Sequence, residues 1–501
     1  MEELSSYQVL KVGGASKVKE KRVPTGIEEF DDFVEGGFPR GSMILLAGAA
    51  GSGKTIFASQ YVYHGMSKLN ESGVYVSFAE NRSTFMKNMK RMDMDFEKYE
   101  QKGKFKFLDL ITVRDKGVES IVKRVLAEVD SLGAKRLVID SFSALVQAFS
   151  ETIDARIMLH TVLGKIAYLN GVTTLLISER PFGTEYSGRG MEEFVTDGVI
   201  ALNSITRNGW LNRTLQVLKL RGTRINSEEH SYSIDEHGIG THPLPTIRPV
   251  KKIYSEKVHT GIEALDKMFS DGVYKGSATL VGGASGTGKT TVALHFIVEE
   301  AKRNGRGLYI SFEEPAQQLI RHAEGFGWNM NEFVDKGLTK FVNYIPEPYN
   351  VEQQLDEIFD LLKEYKPARF VIDSIGSLER VMLEDRYLRY MRSLVSHLKD
   401  HGTTTLLTAL AKPVMPITGA GISILVDNII VLRHVEIESA LRRSIVILKA
   451  RGSAHDSEIR KFEITSKGVM VKGKFVGMEQ ILEGKPRKSM QEKPSADRPK
   501  S

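Results

Sequence analysis

The sequence predicts an α/β protein made of two similar domains, each with a mostly parallel, twisted sheet covered by helices on both faces. Three observations support this fold class. Matching segments recur in the same order in the two halves of the chain, short apolar runs alternate with amphipathic stretches, and each half has a glycine-rich loop between an apolar run and a helical stretch. Strands that alternate with helices favour a parallel sheet, because parallel strands need long crossover connections.

The order of the matching segments indicates a tandem duplication, and we call its two halves the first and second copy. GAAGSGKT at residues 48–55 matches GASGTGKT at 283–290, and TGIEEFD from Thr25 matches TGIEALD from Thr260 at the same interval. A VIDS, a TTLL and an LK-x-RG segment then follow in each copy, in that order. A shared order over five segments is typical of an internal repeat.

Periodicity places the elements of each copy. The apolar runs that read as buried strands in the first copy are residues 43–48, 73–78, 136–140 and 173–178. The amphipathic stretches that read as helices between them are residues 54–69, 118–132 and 153–169. ATLVGG, GLYISF, RFVID and TTLLT repeat the strands in the second copy. Apolar runs of this length between helical stretches are typical of a sheet buried on both faces.

The chain is long enough for two domains, since 501 residues exceed one ordinary core. Prolines and glycines interrupt the periodicity between 237 and 252, which predicts a first domain at 23–246 and a second at 247–484. The ends, 1–22 and 485–501, are rich in Lys and Arg and are expected to be flexible.

Composition excludes several classes of protein. Hydrophobic residues make up 41% and charged residues 26%, as in globular proteins. No apolar run approaches the ~18 residues of a membrane span, and the N-terminus lacks a secretion signal, so a cytoplasmic protein without membrane contact is expected. The absence of cysteine excludes disulfides and thiolate catalysis. The net charge of +6 lies largely in the two ends, which lack aromatic residues to stack on bases, so nucleic-acid binding stays open.

The glycine-rich loops have the pattern G-x-x-x-x-G-K-T between a strand and a helix, which predicts binding of nucleotide phosphates. Glycines let backbone N–H groups converge on the phosphates, and the helix N-terminus adds partial positive charge. We expect Lys54 and Lys289 to reach the β and γ phosphates of ATP, and Thr55 and Thr290 to bind Mg²⁺. The complete predicted loops are Gly48, Ala49, Ala50, Gly51, Ser52, Gly53, Lys54 and Thr55, and Gly283, Ala284, Ser285, Gly286, Thr287, Gly288, Lys289, Thr290 and Thr291.

Acidic residues follow two of the predicted strands in each copy. Asp140 and Asp373 end strands at the edge where ligands bind in parallel sheets, and there a carboxylate can orient the water shell of Mg²⁺. The alternative is that they cap the following helices. SFEEP, with Glu313 and Glu314, offers a base for the attacking water, whereas SFAEN offers only Glu80. These glutamates can also be solvated residues that open a helix, where acidic side chains are favoured.

In combination these motifs resemble the KaiC family of tandem RecA-like ATPases. The resemblance rests on both loops, SFEEP, MEEFVTD, LKLRG, DNIIVLRHVEI and LKARGSAHD, and it extends from about residue 23 to 484. It implies two RecA-like domains, a homohexameric double ring with ATP between subunits, and signalling protein partners. It also implies that Glu313 and Glu314 supply a catalytic base and a metal contact. In the first copy Ala79 replaces the leading glutamate, so nucleotide binding is expected there and hydrolysis is an open question.

The resemblance further implies side chains that reach the ATP of a neighbouring subunit. They are Lys219, Leu220, Arg221 and Thr223 in the first copy, and Arg443, Lys449 and Arg451 in the second. A spacing of two on a strand places Lys and Arg on one face, as a shared phosphate requires, although an edge strand can also carry solvated basic residues. Phe326 matches an aromatic contact to the base, or is a core residue.

Three functions remain open: an ATP-hydrolysing ring that signals to partners, with autophosphorylation as a further activity; a recombinase- or helicase-type nucleic-acid motor; and a non-catalytic ATP-gated scaffold. In the KaiC family the second domain phosphorylates adjacent Ser and Thr residues, and the aligned residues are Ser423 and Ile424; autophosphorylation at Ser423, with Thr418 as a second candidate, is therefore a hypothesis. A nucleic-acid motor would line its pore with 181–191 and 412–422, and a non-catalytic scaffold would only bind ATP. One fold can serve all three.

Overall fold

The computed structural model describes most of the chain, and contacts divide it into two compact units, 1–243 and 244–501. This division falls within the interval where the sequence predicts a boundary, although a strand occupies the first part of that interval. The described residues are 8–12, 15–19, 21–110, 118–147, 171–179, 196–207, 210–243, 247, 249–347, 351–410, 421–475, 478–479 and 487–488.

The first unit contains the first copy. Its strands are β1 Gln8–Val12, β2 Ala15–Lys19, β3 Arg22–Val23, β4 Phe38–Pro39, β5 Met43–Gly48, β6 Gly73–Ser77, β7 Phe105–Asp109, β8 Arg136–Asp140, β9 Thr173–Glu179, β10 Gly198–Arg207, β11 Trp210–Leu220, β12 His230–Asp235 and β13 Gly238–His242. Its described helices are α1 Glu28–Phe33, α2 Lys54–Lys68, α3 Arg82–Lys90, α4 Phe96–Gln101, α5 Val118–Leu132 and α6 Phe142–Gln147. The predicted helix at 153–169 lies outside the described residues.

The second unit contains the second copy. Its strands are β14 Lys257–Val258, β15 Val273–Tyr274, β16 Ala278–Gly283, β17 Gly307–Ser311, β18 Thr339–Asn343, β19 Arg369–Asp373, β20 Thr404–Leu410, β21 Asn428–Ile437, β22 Ala440–Ala450, β23 Arg460–Thr465, β24 Gly468–Lys474, β25 Met478–Glu479 and β26 Arg487–Lys488. Its described helices are α7 Glu263–Met268, α8 Lys289–Lys302, α9 Ala316–Gly325, α10 Met330–Asp335, α11 Val351–Tyr365, α12 Ile375–Val381, α13 Glu384–Asp400 and α14 Ile422–Leu425.

Both units have a nine-stranded sheet with the same strand order. In the first unit the order is β13-β12-β11-β10-β5-β9-β8-β6-β7, and in the second it is β24-β23-β22-β21-β16-β20-β19-β17-β18. The strands from β10 to β7 run parallel, while β10 to β13 form antiparallel pairs. The predicted fold class of two tandem RecA-like α/β domains is confirmed, and the shared order supports the duplication.

The central strands are buried on both faces, as their apolar runs predict. Every residue of β5, β6 and β8 is buried, and so is every residue of β16, β17 and β19. One face of the first sheet packs on α2 and the other on α5. The loop between β5 and α2 therefore lies at the carboxyl edge of a rigid, close-packed layer, where ligand sites form in parallel sheets.

Each unit has a buried arginine at the matching position, the first residue of the strand that ends in Asp140 or Asp373. Arg369 of β19 is 1% exposed, donates from Nε to Glu300 Oε2 (2.7 Å) and from Nη1 to the carbonyl of Phe296 (2.8 Å). Arg136 of β8 donates in the same way to Glu71 Oε2 (2.8 Å). Because a buried charge is costly unless it is paired, we expect loss of either carboxylate to destabilise its unit.

Short strands occur near both ends of the described chain. Strands β1 and β2 form an antiparallel hairpin, and β25 pairs with β26. Among the residues that the structure describes, no helix has the length and apolar character needed to cross a membrane.

Candidate nucleotide-binding sites

The first glycine-rich loop joins β5 to α2 and curves around a lysine. Gly51 and Gly53 have positive φ angles of 76° and 87°, which glycine adopts without steric cost. Lys54 Nζ donates to the carbonyls of Gly48 and Ala49, each at 2.8 Å. Burial lowers the pKa of Lys54, while the charges of Glu179 and Asp140 raise it. The loop thus keeps an ammonium group against its own backbone, where the phosphates of a nucleotide are expected.

The second loop, between β16 and α8, repeats this geometry. Gly286 and Gly288 have φ angles of 74° and 107°, and Lys289 Nζ donates to the carbonyl of Ala284 at 3.0 Å. Burial lowers the pKa of Lys289, while Asp373 and Glu313 raise it. Both predicted loops therefore have the curvature and the lysine position of a phosphate-binding site.

Each strand-ending aspartate lies beside the threonine of its loop. Thr55 Oγ1 donates to Asp140 Oδ2 (2.9 Å), and Tyr75 OH donates to the same oxygen (2.7 Å). Burial raises the pKa of Asp140, and hydrogen bonds from Tyr75 and Thr55 lower it. Both the threonine hydroxyl and the carboxylate are oxygen ligands of the kind that Mg²⁺ prefers.

The second copy adds one bond to this arrangement. Asp373 Oδ2 accepts from Thr290 Oγ1 (2.8 Å) and Tyr309 OH (2.7 Å), and its Oδ1 accepts from Thr408 Oγ1. The N-cap residue of α12 is Ser374, so Asp373 does not cap that helix. The peptide bond after this aspartate is cis, as it is after Asp140.

The two glutamates of SFEEP point to different places. Ser374 Oγ donates to Glu313 Oε1 (2.5 Å), so the leading glutamate lies beside the strand-ending Asp373. Glu314 Oε2 accepts from Gln318 Nε2 (2.7 Å) and lies 3.5 Å from His322 Nδ1, both on α9. Glu313 is therefore the one of the pair that faces the phosphate loop.

Glu80 of the first copy corresponds to Glu314 in its contacts as well as in its position. Its Oε1 accepts from Asn88 Nδ2 (2.7 Å) on α3, and its N–H donates to Ser77 Oγ (3.0 Å). Burial raises the pKa of Glu80, and the bond from Asn88 lowers it. Ala79 stands where the second copy has Glu313, so no carboxylate fills that place.

The basic residues that the sequence assigns to a neighbouring subunit contact their own backbone. Lys449 Nζ donates to the carbonyls of Ser423 and Val426 (2.7 Å each), and Arg451 Nη2 donates to that of Ile424 (3.0 Å). In the first copy Lys219 Nζ donates to the carbonyl of Thr196 (2.7 Å), and Arg221 lies 3.6 Å from Asp197.

The arginines differ in one respect from the sequence prediction. Strand β11 ends at Leu220 and β22 ends at Ala450, so each arginine is the first residue after its strand instead of sharing a strand face with the lysine. The pairing of β22 with β21 is also irregular next to the lysine. Ile447 pairs with Ile430 and Lys449 with Ile429, so Leu448 is an extra residue between them. A bulge of this kind changes the direction of side chains at the end of a strand.

The remaining predicted residues have contacts within their own copy. Thr223 Oγ1 accepts from Arg22 Nη1 (2.6 Å), and Leu220 is buried in the core. Arg443 Nη2 lies 3.4 Å from the carbonyl of Gly286, in the loop of the same copy. The ring of Phe326 lies 4.8 Å from that of Trp328, centre to centre. Their roles toward a neighbouring subunit or a base stay predictions.

Some predicted residues lie outside the described part of the chain. They are Thr418, the first pore segment 181–191 and residues 412–420 of the second pore segment. Within the described part, no group of three or more His, Cys, Asp or Glu side chains could hold a metal ion.

Sequence reasoning missed the residues that hold the aspartates in place. Tyr75 and Tyr309 bond to Asp140 and Asp373, and Thr408 adds its bond only in the second copy. The signal was available, because a tyrosine occupies the same place in GVYVSF and GLYISF. Its hydroxyl is buried at the loop-bearing end of the sheet, where it needs a partner.

Comparison with known proteins decides the family. The model of the KaiC ATPase family matches residues 23–245 and 258–475. The chain belongs to the KaiC family of ATPases. It is 32% identical to the circadian clock oscillator protein KaiC of Synechococcus elongatus over 478 residues, covering 93% of this chain and 92% of that protein. It is 34% identical to the circadian clock protein KaiC3 of Synechocystis sp., covering 93% and 94%. The resemblance predicted from the motifs is thus confirmed, and ATP binding follows from the family of this KaiC-like chain.

Proposed function

We propose that this KaiC-family ATPase hydrolyses Mg-ATP in the second copy, with Glu313 as the base, within a homohexameric double ring that signals its state to protein partners. The observation that supports it best is the contact between Ser374 and Glu313, which places a carboxylate beside Asp373 at the loop-bearing edge of the sheet. The phosphate loop, the metal-binding pair and the base then surround one position. That is the arrangement phosphoryl transfer requires.

Each group has a defined task in hydrolysis. Lys289 balances charge on the phosphates, and Glu313 takes the proton of the attacking water. Thr290 and Asp373 would hold Mg²⁺, which supplies further neutralisation of phosphate charge. Because Tyr309 and Thr408 fix the carboxylate of Asp373, this copy needs little rearrangement before the reaction.

Lys449 and Arg451 are the groups proposed to reach the ATP of the neighbouring subunit. Their bonds to carbonyls of residues 423–426 fix the Lys and Arg together at one end of β22, and the guanidinium of Arg451 stays exposed. Arginines supplied across an interface stabilise the charge of the transition state and are worth roughly 10³–10⁵ in rate. A ring would therefore complete each site.

A mixing experiment tests the ring. Arg451→Ala should lower hydrolysis at least tenfold at saturating ATP, because transition-state charge is left unbalanced. In rings assembled from Arg451→Ala and Glu313→Gln subunits, some interfaces combine an intact Glu313 with an intact Arg451. We therefore expect mixing to raise the ATPase rate above the mean of the two separate variants, with ring size followed by light scattering. A rate equal to that mean in confirmed mixed rings would contradict a contact between subunits.

Autophosphorylation of Ser423 is the proposed second activity. Ser423 is exposed in α14, which begins after Gly421 in a left-handed conformation (φ 65°), and its carbonyl accepts from Lys449. A phosphate that Lys449 and Arg451 meet in a neighbouring subunit would thus lie next to the serine hydroxyl.

Intact mass after incubation with Mg-ATP tests this activity. We expect the wild type to gain one phosphoryl group, Ser423→Ala to gain none, and Glu313→Gln to gain less because the base is lost. Thr418→Ala shows whether a second acceptor takes part. An unshifted mass of the wild type would exclude the kinase while leaving the ATPase unaffected.

A further inference from the structure

Strand β9 of the first copy ends in a carboxylate at the phosphate loop. In the sheet, β9 lies between β5, which leads into the loop, and β8, which ends in Asp140. The register pairs Glu179 with Gly48, the first residue of the loop. Glu179 therefore ends its strand at the same edge as the loop and Asp140.

The side chain of Glu179 belongs to the face of the sheet that carries α2. Leu175 and Ile177 pack in the same core cluster as Phe57 and Ala58 of α2, whereas Leu176 packs on the other face. Side chains alternate along a strand, so Glu179 follows Ile177 on the α2 side. Its N–H donates to Ser143 Oγ (2.9 Å), which fixes the backbone at this position.

The hydrogen bond of the loop lysine agrees with this placement. Lys54 Nζ donates to the carbonyl of Gly48 (2.8 Å), the residue that pairs with Glu179, and Asp140 ends the neighbouring strand β8. In the second copy Asp373 ends the matching strand, and Glu313 accepts from Ser374 Oγ beside it. Each loop therefore has two acidic neighbours, one of which is the strand-ending aspartate.

The second acidic neighbour is Glu179 in the first copy and Glu313 in the second. The two residues lie on opposite sides of the strand that ends in Asp140 or Asp373. Leu410 pairs with Gly283 and occupies the place of Glu179 in the second copy, where its side chain is 63% exposed. Ala79 occupies the place of Glu313 in the first copy. Strands β6 and β9 are the two neighbours of β8, which ends in Asp140. The first copy therefore has its second carboxylate at the end of β9, whereas the second copy has it after the strand that matches β6.

We propose that Glu179 is the catalytic base of the first copy and takes the place of the missing leading glutamate. In the reaction, the water oxygen bonds to the γ-phosphorus as the bond from that phosphorus to the β,γ-bridging oxygen breaks. The bridging oxygen keeps the electron pair and leaves with ADP, while the proton of the water passes to Glu179 and then to solvent. This inference rests on the proposed ATP hydrolysis and extends it to the first copy.

Glu80 is the competing carboxylate, and its contacts argue against this role. It is held by Asn88 on α3, just as Glu314 is held by Gln318 on α9. In the second copy the contact with Ser374, the residue after Asp373, is made by Glu313, whereas the side chain of Glu314 is held by Gln318. Glu80 therefore matches Glu314 and not the proposed base Glu313, so the base of the first copy has to be another side chain.

The test uses the full-length Glu313→Gln protein, in which the second copy is silenced, and measures release of labelled phosphate together with bound nucleotide. We expect a slow residual turnover. Adding Glu179→Gln should lower this turnover at least tenfold, since a general base contributes roughly 10²–10⁴ in rate. Bound nucleotide should remain at both copies.

Controls separate this role from others. Leu410→Gln in the wild type changes the matching position of the second copy and should leave its turnover unchanged, because no base is lost there. Three results would overturn the assignment: no residual turnover in Glu313→Gln, loss of residual turnover with Glu80→Gln and not with Glu179→Gln, or loss of nucleotide from the first copy in Glu179→Gln. The first of these would still support Glu313 as the base of the second copy, so the two proposals fail separately.

Discussion

Replacing Glu313 with glutamine is expected to remove most ATP hydrolysis while nucleotide remains bound. The carboxylate accepts a bond from Ser374 and lies beside Asp373, so it is placed to take a proton from water next to the loop. Glutamine keeps the size and the hydrogen bond but cannot accept this proton. Loss of a general base costs roughly 10²–10⁴ in rate. Steady-state phosphate release, with bound nucleotide quantified after rapid desalting, measures both properties.

Glu314→Gln is the matched control for this substitution. Its side chain is held on α9 by Gln318 and lies near His322, away from Ser374. We expect a smaller loss of turnover than in Glu313→Gln, because its contribution is to the metal or to the position of α9. If Glu80→Gln abolished hydrolysis and Glu313→Gln were nearly silent, the second copy would not be the principal site and the assignment would be wrong.

The loops and the fold class could be predicted because their signals are local. A strand, a G-x-x-x-x-G-K-T loop and a helix follow one another in sequence, and the lysine and threonine of each loop lie within that run. Because the chain is duplicated, each assignment can be compared between the two copies. Thr55 with Asp140 and Thr290 with Asp373, for example, form the same hydrogen-bonded pair. Agreement between local pattern and global repeat is typical of sequences with one stable fold.

The base of the first copy could not be found in the same way. Matching the copies by position shows that Ala79 replaces Glu313, but not that Glu179 lies close to the loop. That proximity depends on strand order, because β9 lies between β5 and β8 in the sheet although residues 141–172 separate it from β8 along the chain and residues 49–172 separate it from β5. Contacts set by the order of a sheet are invisible to motif comparison.

The partners of the buried arginines could not be found by matching the two copies either. Arg136 and Arg369 occupy matching positions, yet their carboxylate partners do not. Glu300 is on helix α8, where the first copy has Gly65, and Glu71 follows the end of α2. A Cβ atom at Gly65 would lie 2.2 Å from Arg136 Nε, so glycine is required at this position by the close approach of that side chain. Both copies therefore have a buried arginine–glutamate ion pair, but the glutamate comes from a different position in each copy.

Glu300→Ala is accordingly expected to destabilise the second unit by about 3 kcal/mol, the lower end of the cost of leaving a buried charge without its partner. Arg369 is 1% exposed, and burial lowers its pKa while Glu300 raises it, so no solvent replaces the lost carboxylate. Its other direct contacts, the carbonyl and the ring of Phe296, carry no charge, and the charge of Glu299 raises the pKa of Arg369 less than that of Glu300 does.

The unfolding of this unit can be followed on its own. With Trp210 replaced by Phe, the fluorescence of Trp328, which is 8% exposed in the core of the second unit, reports denaturation of that unit by urea. Glu299→Ala is the matched control on the same helix, because its ion pair with Arg303 is partly exposed to solvent and should change stability by less than about 1 kcal/mol. The double change Glu300→Leu with Arg369→Met should be less harmful than Glu300→Ala alone, since it removes the charge together with its partner. If Glu300→Ala were as mild as Glu299→Ala, the arginine would have another source of neutralisation, and the exchanged ion pair would not be a requirement of the fold.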